Sequence, residues 1–180
     1  MPMRDDPTAD EGFDAFVRAR WTATARLAYA LTLDHQKAED LAQEAFTKLW
    51  FRWRKVRTES PEGYLRRIVT TTFLSSRRRR WTKEHPSDNP PELTIGSEAS
   101  QVDDRLALHQ AMARLSPRQR AAVYLRFAED LSEQTVADLL DCSVGSVKQH
   151  TSRGLAALRA STEFDETGRL ADLAGRGTAS

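Results

Sequence analysis

The stretch from Leu131 to Leu158, LSEQTVADLLDCSVGSVKQHTSRGLAAL, admits few folds. It reads as two short helices joined by a three- or four-residue turn. Ser132 is placed to cap the first helix, whose apolar residues Val136, Leu139 and Leu140 recur at helical spacing. Ser143 is placed to cap the second, and Cys142 just before it can staple against Val147. In the second helix Val147, Thr151, Leu155 and Leu158 fall on one face. Lys148, Gln149, Ser152 and Arg153 fall on another, with no acid among them. A buried stripe backing a row of hydrogen-bond donors suits a helix that enters a DNA major groove. On spacing alone, an ordinary amphipathic helical hairpin fits equally well. Asp141 stands where such a turn often has Gly, and Asp tolerates a left-handed backbone better than most residues.

Charge adds a second constraint. The formal net charge is only +1, but its distribution is uneven. Residues 48–83 carry 12 Lys and Arg against 2 acids, and residues 84–104 carry 6 acids with no Lys or Arg. A positive block so concentrated favours a polyanion partner over a merely solvated face.

Read in order, residues 1–9 carry no pattern and are expected to be disordered. From about Asp10, the residues Phe13, Phe16, Val17, Ala28 and Leu31 outline a first helix ending near Leu33. Asp34 can cap the next, from His35 to about Arg54, with Ala38, Leu41, Ala42, Ala45, Leu49 and Trp53 on its apolar face. Asp40, Gln43 and Glu44 share another face of that helix, which on its own reads as a solvated surface rather than a binding site. Ser60-Pro61 is a cap followed by proline at the first helical position. In the helix that follows, Tyr64, Leu65, Ile68, Val69 and Phe73 can face inward, beside Arg66 and Arg67. Thr70, Thr71 and Thr72 are poor helix formers, so their run predicts a weakened or exposed turn. Arg77 to Arg80 and then Trp81 close the segment, cations suited to phosphates beside an aromatic suited to unstacked bases.

Residues 82–103, rich in proline and acid, read as a flexible linker. Helices resume near Asp104 with a stripe of Leu108, Met112 and Leu115. Ser116-Pro117 repeats the cap-plus-proline start, and Val123 and Phe127 are expected to continue the core. The tail 161–180 loses pattern, apart from a possible short helix at 165–174. No strand-like alternation occurs, which makes the chain all-α: two small helical domains, at 10–81 and 104–160, the second a helix-turn-helix.

Several function classes drop out. No Ser/His/Asp order, carboxylate pair or glycine-rich phosphate loop stands out, so no enzymatic activity is expected. The single cysteine, Cys142, excludes an internal disulfide, and the four histidines His35, His85, His109 and His150 are scattered, so no metal or cofactor is expected. No run of eighteen apolar residues and no basic-then-apolar start exists, so the expected compartment is the cytoplasm.

With these pieces in place, the sequence resembles the extracytoplasmic-function (ECF) sigma factors of the sigma-70 family. AEDLAQEAF (38–46) resembles that family's core-polymerase-binding motif. SPEGYLRRIV followed by the arginine run resembles its −10 promoter region, and the stretch from Leu115 to Arg159 resembles its −35-binding domain. FLSSRRRRW is similar to the actinobacterial branch. The resemblance implies that Asp40, Gln43 and Glu44, supported by Leu41 and Phe46, dock on the clamp coiled coil of the largest subunit of core RNA polymerase. It implies −10 DNA contacts from Tyr64, Arg67, Thr71, Thr72, Arg77, Arg78, Arg79, Arg80 and Trp81. It further implies −35 contacts from Ser146, Lys148, Gln149, Ser152 and Arg153. Relatives commonly carry Asn where Thr71 stands, and a hydroxyl presents fewer donors than an amide, which puts the −10 base preference in question. Promoter DNA and core polymerase are the implied partners, with an anti-sigma factor a further one that many relatives have. A stand-alone helix-turn-helix regulator would account for residues 105–160, but leaves the 40/43/44 trio and the arginine run unexplained. An RNA-binding or structural adaptor would use only the basic block.

Overall fold

The computed structural model describes residues 7–83 and 107–160, with side chains for 12–77 and 107–160. Every regular element among the described residues is helical. Helices α1 (Pro7–Thr32), α2 (His35–Trp50), α3 (Trp53–Val56) and α4 (Pro61–Lys83) form an N-terminal unit. A C-terminal unit follows, made of α5 (107–113), α6 (Pro117–Val123), α7 (Glu133–Leu140) and α8 (Val144–Ala160). Residues 7–9, expected to be disordered, are the first turn of α1, and α4 runs two residues into the expected linker. The rest of that linker and the tail 161–180, with its possible helix at 165–174, lie outside the described residues.

The N-terminal core grows from the period of α2. Asp34 caps it by accepting the Lys37 N–H at 3.0 Å, and Ala38, Leu41, Ala42, Ala45, Phe46 and Leu49 are buried. The helix expected to continue to Arg54 instead breaks at Phe51 and Arg52. There the Arg52 N–H turns back to the Leu49 carbonyl at 2.9 Å. The break swings Trp53 in α3 onto α1, with ring centroids 5.2 Å from Phe13 and 5.1 Å from Phe16, and turns Phe51 out to 76% exposure. Trp21 of α1 stacks on Phe46 at 5.8 Å. From α4, Leu65, Ile68, Val69 and Phe73 complete the layer.

The threonine run does not weaken α4. The Thr70 and Thr71 hydroxyls donate to the carbonyls four residues back, at 2.9 and 2.8 Å, which satisfies them inside a continuous helix. Thr70 and Thr72 are buried, and Thr71 alone of the three faces solvent.

In the C-terminal unit the caps fall where the sequence places them. Ser116 and Gln119 form a reciprocal capping box at the start of α6. Ser132 Oγ accepts from the Thr135 N–H at 3.0 Å, and Ser143 Oγ from the Ser146 N–H at 3.1 Å. Asp141 ends α7 in the left-handed region at φ 50° and ψ 58°, as the turn requires. Helices α6 and α8 approach closely because residue 154 is Gly; a Cβ there would sit 2.6 Å from Val123 Cγ2. Phe127 departs from its expected place in the core. After Val123 the helix widens into a π turn, Tyr124–Ala128, whose extra residue per turn shifts the following positions around the axis. Tyr124, Leu125 and Ala128 then point inward and Phe127 turns out, 43% exposed.

The two units do not stand apart. Helices α1 and α4 pack on α6, and α4 also packs on α7, so one apolar cluster runs from Leu27 and Val69 to Leu125, Val136 and Val147.

Candidate nucleic-acid interface

Three exposed helical surfaces carry the chemistry. The first is the outer face of α8. Val147, Gly154 and Leu158 are buried beneath it, which fixes the helix and leaves Lys148, Gln149, Ser152 and Arg153 exposed on the other side. Ser146 is half-buried, its hydroxyl 2.9 Å from that of Ser143, so it belongs to the helix start. Lys148 Nζ lies 3.6 Å from Glu133 Oε2 at the start of α7. Glu133 is an acid at the edge of this surface that the spacing of α8 alone does not reveal. His150 is partly buried; burial, and then the Arg118 and Arg153 guanidinium groups, hold its pKa below the ordinary histidine value. It is therefore neutral near pH 7. Burial likewise raises the Cys142 thiol, an inert group packed against the core.

The second surface is on α4. Arg67, Thr71 and Arg77 are exposed, and Tyr64 is partly so. Thr72, expected among the DNA contacts, is only 8% exposed and receives a 3.0 Å hydrogen bond from Lys48 Nζ; it joins α2 to α4 instead. The threonine triplet spans more than half a helical turn, so its members cannot share one face. The side chains of Arg78, Arg79, Arg80 and Trp81 lie outside the described residues, although the helix that carries them is continuous to Lys83. Beyond the end of α2, Trp50, which meets Phe13 of α1 at 4.9 Å, and Phe51 are exposed among Arg52, Arg54, Lys55 and Arg57 in the sequence. The basic residues are visible in the sequence. The exposure of the two aromatics is not, because it follows from the break after α2.

The third surface is on α2. Asp40, Gln43 and Glu44 are all exposed on one face. Asp40 accepts from Gln36 at 3.2 Å, and Glu44 pairs with Lys48 at 2.7 Å. Leu41 and Phe46 are buried core residues that hold this face in place from beneath. Among the described residues no cluster of His, Cys, Asp and Glu could hold a metal, and no helix is long and apolar enough to cross a membrane.

Comparison with known proteins identifies the family. Residues 17–83 match the family description "Sigma-70 region 2" and residues 105–158 match "Sigma-70, region 4". The RNA polymerase sigma-E factor of Streptomyces coelicolor is 34% identical over 148 residues, covering 82% of this chain and 84% of that protein. The ECF RNA polymerase sigma factor SigE of Mycolicibacterium smegmatis is 34% identical over 164 residues, covering 86% of this chain and 63% of that one. Among solved structures, the chain resembles the sigma factor RpoE of Bartonella quintana in complex with the anti-sigma factor NepR. The TM-score is 0.66 at 25% identity, over 86% of this chain and 98% of that one. An all-helical body ending in a helix-turn-helix, with region 2 and region 4 in family order and relatives alike over most of their length, settles the family. The chain belongs to the ECF group of the sigma-70 family, non-enzymatic factors that direct RNA polymerase to promoters.

Proposed function

We propose that the three exposed surfaces divide the work of promoter recognition among them. Asp40, Gln43 and Glu44 present carboxylate and amide acceptors on one rigid helical face, suited to arginines on the clamp coiled coil of the largest core subunit. Arg67, Thr71 and Arg77, with Tyr64 and the run Arg78, Arg79, Arg80 and Trp81, bind the opened −10 element: the cations hold phosphates and the aromatics and hydroxyl meet an unstacked base. Lys148, Gln149, Ser152 and Arg153 read the −35 duplex. Gln149 suits adenine, and Lys148 or Arg153 suits guanine or phosphate. The N-terminal domain at 10–81 and the helix-turn-helix domain at 104–160 would thus work at two places on one promoter in the cytoplasm. The likeness to a sigma factor crystallised with an anti-sigma factor supports the same kind of regulator for this chain.

The observation that carries this reading is that all four donors of α8 and all three acceptors of α2 are exposed on helices whose opposite faces are buried. Run-off transcription on a pool of genomic promoters, with purified core polymerase, tests it. Start sites should appear only when the protein is added, and Asp40→Ala with Glu44→Ala should remove them together with core binding. A double variant that still binds core and initiates normally would refute the role given to α2.

A further inference from the structure

Among the described residues three large apolar side chains are exposed, Trp50, Phe51 and Phe127, and Phe51 is the most so, at 76%. Phe51 ends α2, and its φ of −63° and ψ of −15° keep it in helical phase. Counting back from it, Thr47, Glu44 and Asp40 stand four, seven and eleven residues earlier, and all three are exposed. At 3.6 residues per turn, these four side chains fall within a sector of about 60° and form one line about 16 Å long. The steps along it alternate between four and three residues. That is the spacing by which a helix faces a second helix laid along it. Gln43 and Trp50, seven residues apart and both exposed, flank the line on one side.

The line is held rigidly. Ala42, Ala45 and Leu49, on the opposite face of α2, are fully buried. Trp50 rests on Phe13 of α1, with ring centroids 4.9 Å apart. The Thr47 hydroxyl donates to the Gln43 carbonyl at 2.8 Å, and Glu44 pairs with Lys48 at 2.7 Å. Phe51 itself belongs to neither apolar cluster, so the fold gains little from a ring at this position. A large ring held out of the core on a fixed helix is what an interface uses as an anchor.

Two kinds of occupant suit such a ring. Arg52, Lys55 and Arg57, which follow the break, are exposed, and an aromatic near cations can stack on an unpaired base. The acids on the line decide against that. A strand laid from Phe51 toward Thr47 would bring its phosphates to Glu44, about 10 Å away and within about one Debye length. A protein helix with arginines at one end and apolar side chains two turns further on meets no such conflict. Its arginines would face Asp40 and Glu44, and its apolar residues would close over Phe51.

We propose that the docking surface for core polymerase runs the whole length of this line, with a helix of the clamp lying along α2 and Phe51 as the apolar anchor at its far end. Asp40 and Glu44 orient the partner, and Phe51, with Trp50 beside it, slows its departure. This rests on the assignment of α2 to core docking and adds to that surface two aromatics outside the acidic trio.

The test is the kinetics of the full chain binding to purified core polymerase without DNA, at low and at high salt. Phe51→Ala should speed dissociation by at least about tenfold, by the same factor at both salt concentrations, with association nearly unchanged. Phe51→Leu should recover part of the loss. Asp40→Asn should instead slow association, and more so at low salt. Melting midpoints should match the native chain, because Phe51 lies outside both clusters. A lower midpoint in Phe51→Ala and Phe51→Leu alike would make the ring a structural part and overturn the proposal. If Asp40→Ala with Glu44→Ala abolishes core binding while Phe51→Ala dissociates at the native rate, the reading of α2 stands and this proposal alone falls. If that double variant binds core normally, both fall. Weaker binding of a single-stranded −10 oligonucleotide by the Phe51→Ala holoenzyme, with core binding unchanged, would give the ring to a base instead and refute the anchor.

Discussion

The two units of this chain reach a packed core by opposite means. The N-terminal unit uses large rings: Phe13, Phe16, Trp21, Phe46, Trp53 and Phe73 meet around α2, several of them only partly buried. Apart from the buried Tyr124, the C-terminal unit uses aliphatic side chains of modest size, with Leu108, Met112, Leu115, Val123 and Leu158 in one cluster, and a close helix approach at Gly154 against Val123 and Leu115. Rings supply much apolar area from few contacts, and their edges can shift. A close helix crossing has no such slack, since its backbones already touch neighbouring side chains. One unit should therefore be sensitive to losing volume and the other to gaining it.

The largest effect tests the first half. Trp53→Ala removes a buried ring that bridges α3 to α1 and should cost about 3 kcal/mol. All four tryptophans lie at or before position 81, so indole fluorescence follows the N-terminal unit alone, while far-ultraviolet circular dichroism follows both. A lower fluorescence midpoint is expected. If the circular dichroism midpoint falls with it, the packing between the units couples them; if a second transition separates, each unit melts alone. A midpoint within a degree of the native one would show that the ring carries little of the core.

Gly154→Ala tests the second half. The added methyl meets Val123 Cγ2 at 2.6 Å, and Val123 is fully buried, so the α6–α8 crossing must widen. Overpacking of this kind costs about 1–3 kcal/mol, against a gain of up to about 1 kcal/mol from replacing Gly in a helix. A net loss near 1 kcal/mol is expected in the circular dichroism transition, with weaker −35 duplex binding because α8 is displaced. Stabilisation by this substitution would mean that the crossing has slack after all, and the contrast with the N-terminal unit would fail.

The caps separate the units by pH, with a smaller effect. Asp34 caps α2 with a carboxylate, while Ser116, Ser132 and Ser143 cap the helices of the other unit with hydroxyls. Hydrogen bonds from the Lys37 side chain and then its backbone N–H hold the Asp34 pKa below the ordinary value. A folded-state pKa that is lowered stabilises above the unfolded value, about 3.9, and that stabilisation is lost as pH falls through the folded value. Asp34→Ser replaces it with an equally good cap that does not titrate. The variant should fall slightly below the native chain at pH 6, and the gap should narrow as the pH is lowered below about 3.9, by fluorescence-monitored unfolding. A difference that does not change with pH would deny the carboxylate its role.

What was legible in the sequence follows from how local each cause is. Caps, the period of α2 and the left-handed Asp141 depend on neighbours within a turn, and each could be read directly. The break at Phe51, the π turn that rotates Phe127 outward, and the burial of Thr72 depend on where Trp53, Tyr124 and Lys48 find partners in other helices. No window of sequence contains those partners. The site divides the same way. The donors of α8 were visible as a face of one helix, whereas the docking of the two units, with Leu33 seated in a core 75 residues downstream at Leu108, was not.

The smallest effect lies at the edge of α8. Glu133 Oε2 stands 3.6 Å from Lys148 Nζ, with the side chains 38% and 64% exposed, so the pair adds little to folding. Its consequence lies in DNA binding. With Lys148 tied to an acid, that cation contributes less to phosphate neutralisation than its charge suggests, and the carboxylate itself repels the backbone. Glu133→Gln frees the lysine and removes the repulsion without changing shape. Stability should stay within a few tenths of a kcal/mol. The −35 affinity should rise modestly, and the plot of log affinity against log salt should steepen by up to about 0.9, the equivalent of one further phosphate contact. A steeper slope for every duplex tried, scrambled ones included, would place Lys148 on the phosphate backbone. Gain confined to duplexes that change at one base pair would place it on a base edge instead. With neither slope nor affinity altered, Glu133 has no influence on the surface, and the donors of α8 act on DNA unaided by the helix before them.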